Sequence, residues 1–62
     1  MSTQIALELP DEVFSALKED PENFGKELRL AAAVKWYEIG RISQERAAQI
    51  AGLSRQEFIE AL

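Results

Sequence analysis

The chain contains neither cysteine nor histidine, so its 62 residues must fold without a disulfide bond or the usual ligands of a structural zinc ion. A chain of this length buries a smaller share of its surface than a larger domain does, so its core alone gives marginal stability. Yet 47% of the residues are hydrophobic. So much apolar material without a covalent or metal link predicts that two copies share one interior, and we expect a homodimer.

The strand candidate lies at the N-terminus, where apolar and polar residues alternate over residues 3–9. Ile5, Leu7 and Leu9 share one face, and this period of two predicts a half-buried strand. One strand cannot form a sheet, because its backbone donors and acceptors need a partner. We therefore expect this segment to pair antiparallel with its copy in a second chain about a two-fold axis, with these three residues in the dimer interface.

Two helices are predicted next. Pro10 opens the first of them and Pro21 ends it, since proline suits the first helical position and restricts the residue before it. The second is expected to run from about Glu22 to Ile39 and to close at Gly40.

The long helix carries two adjoining apolar stripes at helical spacing. The first stripe consists of Phe24, Leu28, Ala32, Trp36 and Ile39. The second stripe consists of Leu30, Ala33, Val34 and Tyr37. A helix that is apolar over most of its circumference is buried, and the rest of this short chain is too small to cover both stripes. Leu28, Ala32 and Trp36 are therefore predicted to lie in the dimer interface.

Residues 42–62 hold the pattern that is most informative about function. Ser43 is suited to cap a helix, and Gly52 stands where a left-handed turn is needed. Ser54 and Glu57 have the spacing of a capping box that starts another helix. The residues expected to point inward are Ala47, Ala48, Ala51, Leu53, Phe58, Ala61 and Leu62. Small residues and a short turn between two helices predict a helix-turn-helix.

The second helix of this motif is expected to expose its first residues to double-stranded DNA. Arginine bonds guanine bidentately and glutamine bonds adenine, which suits Arg55 and Gln56 to base reading. The predicted DNA-contacting set is Arg41, Ser43, Gln44, Arg46, Ser54, Arg55, Gln56 and Ile59. The alternative is a helical hairpin that packs against the body and touches no DNA, and Glu60 on the second helix favours it.

The net charge of −4 is unevenly distributed. Residues 1–28 carry seven acids and two lysines, a net −5, whereas residues 29–62 carry five cations and four acids, a net +1. The C-terminal part therefore permits contact with DNA. The acidic N-terminal part favours a second function, an acidic protein–protein interaction module, toxin-neutralising or scaffolding, that binds no DNA.

Several function classes are not expected. The chain has no histidine, no cysteine and no glycine-rich phosphate loop. Ser43 and Ser54 are interpreted as helix caps with no base in sequence reach, so we expect no enzyme, cofactor or small-molecule substrate. Glu19, Asp20 and Glu22 indicate a solvated acidic corner rather than a metal site.

The longest apolar run has five residues, against roughly 20 for a membrane span, and no targeting segment is visible. We therefore expect a soluble, cytoplasmic protein without a membrane partner.

Taken in order along the chain, these features resemble uncharacterised protein family 0175, small prokaryotic proteins predicted to be helix-turn-helix antitoxins. The resemblance lies in residues 5–13 (IALELPDEV), 27–43 (ending YEIGRIS) and 47–58 (ending GLSRQEF). It implies the antitoxin half of a toxin–antitoxin pair, a PIN-domain ribonuclease toxin as partner, and DNA binding for autoregulation. Members of that family usually continue past the position of Leu62 with a C-terminal tail, and antitoxins commonly hold their toxin through such tails.

The N-terminal pattern also resembles ribbon-helix-helix repressors, which read DNA with paired strands. The outward residues Gln4, Ala6 and Glu8 offer one amide and one carboxylate, and the carboxylate would face phosphates. We therefore assign the ribbon to dimerisation and DNA readout to the C-terminal third.

The expected fold class is mainly α, with a short N-terminal strand in an inter-subunit antiparallel ribbon, followed by about four helices of which the last two form the helix-turn-helix. Residues 1–62 are expected to form a single domain, in which residues 1–41 hold the strand and dimerisation helices and residues 42–62 the helix-turn-helix.

Overall fold

The computed structural model describes residues 1–62, and its regular structure is entirely helical. The four helices are α1 (Asp11–Leu17), α2 (Pro21–Glu38), α3 (Gln44–Ala51) and α4 (Arg55–Ala61). The long α2 packs against α3, and α3 packs against α4, so the C-terminal helices are attached to the second half of the chain's longest element. The molecule measures 33 × 27 × 20 Å along its principal axes.

The prediction of an N-terminal strand, and with it of a ribbon between subunits, is wrong. Residues 1–10 form neither helix nor strand, and all of them are exposed. Ile5 and Leu7 retain 79% and 64% of their accessible surface, and Leu9 is also exposed. Alternation identifies side chains that would share one face of a strand, but a strand also needs a neighbour for its backbone hydrogen bonds, and this chain contains no second strand.

The first helix begins one residue later and ends earlier than predicted. Pro10 is the residue before α1, with φ −58° and ψ 142°, rather than its first residue. The helix ends at Leu17 because Lys18 adopts a left-handed conformation with φ 55°. The ring of Phe14 packs edge-on against that of Phe24 at a centroid distance of 5.0 Å, which attaches α1 to the start of α2.

The second helix has the predicted extent to within a residue at each end. Asp20 caps it by accepting a 2.8 Å hydrogen bond from the backbone N–H of Asn23, and Pro21 occupies the first helical position. At the other end Gly40 adopts φ 75°, and the N–H of Arg41 donates to the carbonyl oxygen of Trp36 over 2.8 Å. None of the four helices combines the length and the apolarity that crossing a bilayer requires.

The core lies where α2, α3 and α4 meet. Its buried residues are Ala33, Ala47, Ala48 and Phe58. Phe58 is the one large side chain among them, and its ring lies edge-on to that of Tyr37 at 5.9 Å and 83°. Alanines at the crossing let the helix backbones approach closely, so the single phenylalanine fills the space that remains.

Two of the residues predicted to point inward from α4 do not. Ala61 and Leu62 are exposed, whereas Ala51 and Leu53 are half-buried beside the core. Phe58 is the one buried residue of α4, and nothing in the chain covers the turn that follows it.

The two apolar stripes of α2 have different surroundings. The second stripe faces the core, with Ala33 fully buried and its other members half-buried. The first stripe stays largely open, and Leu28 and Trp36 remain 41% and 36% exposed. One chain therefore covers one stripe of its long helix and leaves Leu28, Trp36 and Ile39 of the other exposed.

Candidate nucleic-acid interface

Both helices of the C-terminal motif begin at the predicted serine caps. Ser43 Oγ accepts a 3.1 Å hydrogen bond from the backbone N–H of Arg46 at the start of α3. At the start of α4, Ser54 Oγ accepts from the N–H of Glu57 over 3.1 Å, and Glu57 Oε1 accepts from the N–H of Ser54 over 2.9 Å. The predicted capping box is confirmed, and both helices begin at fixed residues.

The turn between α3 and α4 consists of residues 52–54. Gly52 adopts the predicted left-handed conformation, with φ 73°, and its N–H donates to the carbonyl oxygen of Gln49 over 3.1 Å. The N–H of Leu53 donates to the carbonyl oxygen of Ala48 over 2.9 Å, which places the Leu53 side chain against the core. These bonds satisfy the carbonyl groups of Ala48 and Gln49 in the last turn of α3 and fix the direction in which the chain leaves it.

A side chain from α2 completes this helix end. Arg29 Nε donates to the carbonyl oxygen of Ile50 over 2.7 Å, and its Nη2 donates to that of Gln49 over 3.4 Å. The last turn of α3 contains no basic residue, so the Arg29 guanidinium supplies the positive charge that a helix C-terminus favours. Sequence reasoning missed this role. The absence of a cation in the last turn of α3 is a signal for it, but the partner lies 21 residues away.

The structure brings two of the predicted DNA-contacting residues into direct contact. Arg55 Nε donates a 3.1 Å hydrogen bond to Gln44 Oε1. Gln44 is the first residue of α3 and is half-buried, whereas Arg55 is the first residue of α4 and is exposed. The beginnings of the two helices therefore lie side by side at one end of the motif.

Two further predicted residues have partners on their own helix. Arg46 Nη1 donates to Gln49 Oε1 over 2.8 Å, one turn along α3, which adds Gln49 to the polar surface of this helix. Gln56 Nε2 donates to Glu60 Oε1 over 3.2 Å on α4. One of the two amide N–H groups of Gln56 is thus engaged by a carboxylate, which leaves the other N–H and the carbonyl oxygen for a base. The spacings of three and four residues were the available signal for both contacts.

The remaining predicted residues form no side-chain hydrogen bond with Gln44 or Arg55. The Arg41 guanidinium carbon lies 5.5 Å from the Trp36 ring centroid, a cation–π contact at the end of α2. Ser43 and Ser54 are exposed, but their hydroxyl oxygens are occupied as caps. Ile59 is an exposed apolar residue on α4.

The charges near the motif are set by local hydrogen bonds. The backbone N–H of Ser54, and after it the Ser54 side chain, lowers the pKa of the Glu57 carboxyl. The carboxylate of Glu57 thus accepts from the backbone at the start of α4. At the corner between α1 and α2, partial desolvation and then a hydrogen bond and the charge of Glu27 raise the pKa of Glu19, with a smaller effect of the charge on Asp20. The acidic corner predicted from residues 19–22 thus includes a carboxyl from the next turn of α2.

Comparison with known proteins places the chain in a family. The sequence signature of the family described as "Uncharacterised protein family (UPF0175)" matches residues 1–62. A curated protein named "UPF0175 protein" from Aeropyrum pernix is 38% identical over 61 residues, which cover 98% of this chain and 64% of that protein. The chain therefore spans slightly less than two thirds of the length of this relative. No solved structure matches the chain significantly. The chain belongs to the uncharacterised protein family UPF0175.

Proposed function

We propose that this protein is a dimeric DNA-binding regulator that reads a duplex with the helix starting at Ser54. The observation that carries the proposal is the contact between Gln44 and Arg55. It holds an exposed arginine, the first residue of α4, against the first residue of α3. In a helix-turn-helix the first residues of the second helix reach base edges while the first helix crosses the DNA backbone. The capped and adjacent beginnings of α3 and α4 support this docking.

The residue types match the two kinds of contact. Arg55 carries the guanidinium that pairs with guanine, and Gln56 the amide that pairs with adenine. Gln44 and Arg46, on the first helix, supply an amide and a cation for phosphate oxygens. The few cations of this surface predict about four to six phosphate contacts per dimer and hence a shallow dependence of affinity on salt.

The size of α4 supports a dimer. Seven residues at about 1.5 Å each make a helix of about 10 Å, which spans about three base pairs. So short a site is not selective, and two copies on half-sites about 34 Å apart would double it. The open first stripe of α2, with Leu28, Ala32 and Trp36, is the surface we propose for the contact between copies.

The antitoxin role, with a PIN-domain ribonuclease as toxin, is the biological context we propose for this regulator. Its support is the sequence resemblance to a family of predicted antitoxins together with membership of that family. In such a pair the DNA-binding half represses its own operon, so the DNA to test is the region upstream of the protein's own gene.

A mobility-shift titration at low salt with that upstream duplex tests DNA binding. We expect the wild-type protein to shift the duplex and the double variant Arg55→Ala/Gln56→Ala to bind at least tenfold more weakly, since a bidentate contact to a base is worth about 1–3 kcal/mol. The matched control is Lys26→Ala/Gln4→Ala, which also removes one cation and one amide but lies outside the motif. Equal binding by the two double variants would show that α4 is not the reading helix.

The alternative function, an acidic interaction module without DNA binding, is favoured by the crowded carboxyls of Glu19, Asp20 and Glu27. The same titration separates the two functions. A wild-type protein that leaves every duplex unshifted at low salt, where electrostatic attraction is strongest, supports the interaction module.

A further inference from the structure

We infer that Gln44 is a positioning residue that determines the guanine preference of the protein by holding the Arg55 side chain in its reading geometry. The inference rests on the proposed function and adds to it the base that is read and the residue that controls the reading. It follows from the direction of one hydrogen bond, from the anchoring of both partners, and from the groups that the bond leaves free.

The direction of the bond is fixed by chemistry. A guanidinium has only donors, so the Gln44 atom 3.1 Å from Arg55 Nε must be the amide oxygen, which accepts. The amide nitrogen of Gln44 therefore points elsewhere, with both of its N–H groups available. The Nε–H of Arg55 is engaged in this bond, and the four N–H groups on Nη1 and Nη2 remain free to donate.

Both backbones are held in place where the bond forms. Gln44 follows the Ser43 cap and is half-buried, and Arg55 follows Ser54 of the capping box. The turn between the helices is fixed by Gly52. The hydrogen bond consequently connects two rigid points, and it restricts a long and otherwise mobile arginine side chain before any DNA arrives.

This arrangement favours guanine at one position of each half-site. With Nε occupied, the two terminal nitrogens form the fork that can donate to the O6 and N7 atoms of a guanine, the pair of acceptors that other bases do not present in the major groove. Ordering the fork beforehand reduces the entropy lost on binding, which improves discrimination as well as affinity. In the proposed docking the first helix meets phosphates, so the free amide N–H groups of Gln44 would let one residue connect backbone contact with base reading.

The test is in vitro selection from a randomised duplex library long enough for two half-sites, with sequencing of the bound fraction and thermal unfolding of each variant. We expect the wild type to select a guanine at one symmetric pair of positions. The Arg55→Ala variant should lose that preference, and Gln44→Ala should weaken it by about tenfold while retaining the other selected bases and the unfolding midpoint. Gln44→Glu keeps an oxygen acceptor for Arg55 Nε and should restore the guanine preference.

The double variant Gln44→Ala/Arg55→Ala tests whether Gln44 affects base preference through Arg55. If Gln44 works through Arg55, the double variant selects the same sequences as Arg55→Ala alone. A wild type that enriches no sequence overturns the proposed function and this inference with it. A wild type that enriches guanine to the same extent as Gln44→Ala overturns the inference alone and leaves the proposed function intact.

Discussion

Arg29 Nε donates a 2.7 Å hydrogen bond to the carbonyl oxygen of Ile50 and so joins the middle of α2 to the end of α3. The bond is charge-assisted, and it lies at the helix end where a cation is favoured. Through it, the long helix holds the turn from which α4 projects. This contact helps α3 and α4, which have few buried side chains, to keep one orientation against α2.

We predict that Arg29→Ala lowers the free energy of unfolding by about 1 kcal/mol, the usual value for a hydrogen bond in a partly exposed position. For a chain of this size the unfolding midpoint should fall by about 4–8 °C. Urea and thermal denaturation measure both quantities. Lys26→Ala removes the same charge from the same helix without a hydrogen bond, and an equal loss in that control would contradict the assignment.

A second prediction concerns Gly52, above which the Arg29 guanidinium lies. A Cβ atom at Gly52 would stand 3.2 Å from Arg29 Nη1 and Nη2, and the backbone there is left-handed. Gly52→Ala should therefore cost the conformational penalty of about 1–2 kcal/mol and part of the Arg29 contact as well. Gly40→Ala is the matched control, since Gly40 has φ 75° and no atom within 4 Å of such a Cβ.

Chemical denaturation should give Gly52→Ala a lower free energy of unfolding than Gly40→Ala. The double variant Arg29→Ala/Gly52→Ala should lose less stability than the sum of the two single-variant losses, because the contact that the new methyl group disturbs is already absent. Strict additivity, or equal losses at the two glycines, would show that Arg29 and Gly52 are energetically independent.

The features that sequence predicted well are those decided within one turn of helix. Ser43, Gly52 and the Ser54–Glu57 box each act on backbone groups at most four residues away, so the residue type and spacing suffice to place the ends of α3 and α4. The limits of α2 follow from the same kind of signal.

What sequence did not predict depends on which elements meet in space. The alternation of residues 3–9 is a local signal, but a strand exists only where a neighbour supplies its hydrogen bonds, and none is present. The contact between Gln44 and Arg55 and that between Arg29 and Ile50 require the crossing of α2, α3 and α4 to be known first. Propensity and spacing contain no such information.

The capping box predicts a specific pH dependence. Hydrogen bonds from Ser54 lower the pKa of Glu57 in the folded protein, so its contribution to stability is present above the ordinary carboxyl pKa of about 4.3 and is lost as the pH falls below it. Glu57→Gln keeps an oxygen that accepts from Ser54 but removes the titration. We expect the stability difference between wild type and variant to be larger at neutral pH than in acid.

Urea denaturation of both proteins at neutral and at acidic pH measures this difference. Glu45→Gln is the control, since Glu45 lies in the first turn of α3 and shares no hydrogen bond with a cap. A stability difference for Glu57→Gln that stays constant from neutral to acidic pH would contradict the role of the charged box.

The open stripe of α2 predicts self-association. Leu28→Glu/Trp36→Glu should convert dimers to monomers, because burying two carboxylates in an apolar contact is costly, while the helices are retained in circular dichroism. Lys35→Glu, which changes the net charge by the same two units on the polar side of α2, should leave the dimer intact. Sedimentation velocity over a range of concentrations measures the effect, and a wild type that stays monomeric throughout would rule out this interface.

We predict that removal of the Glu60 charge strengthens DNA binding. The Glu60 carboxylate holds the Gln56 amide through a 3.2 Å hydrogen bond and places a negative charge on the proposed reading helix. Glu60→Gln should strengthen DNA binding at low salt by about twofold to fivefold, since unit charges at contact distance in water interact by about 1 kcal/mol or less. The gain should shrink as ionic strength rises, because salt screens the repulsion between exposed charges.

Fluorescence anisotropy with one labelled duplex at two salt concentrations measures this gain. Glu12→Gln makes the same change of charge on α1, outside the motif, and should alter affinity less than Glu60→Gln at either concentration. If the two variants bind alike, the effect is one of net charge and Glu60 does not lie near the duplex. If Glu60→Gln binds more weakly than the wild type, the carboxylate holds Gln56 in a productive position rather than competing with the DNA.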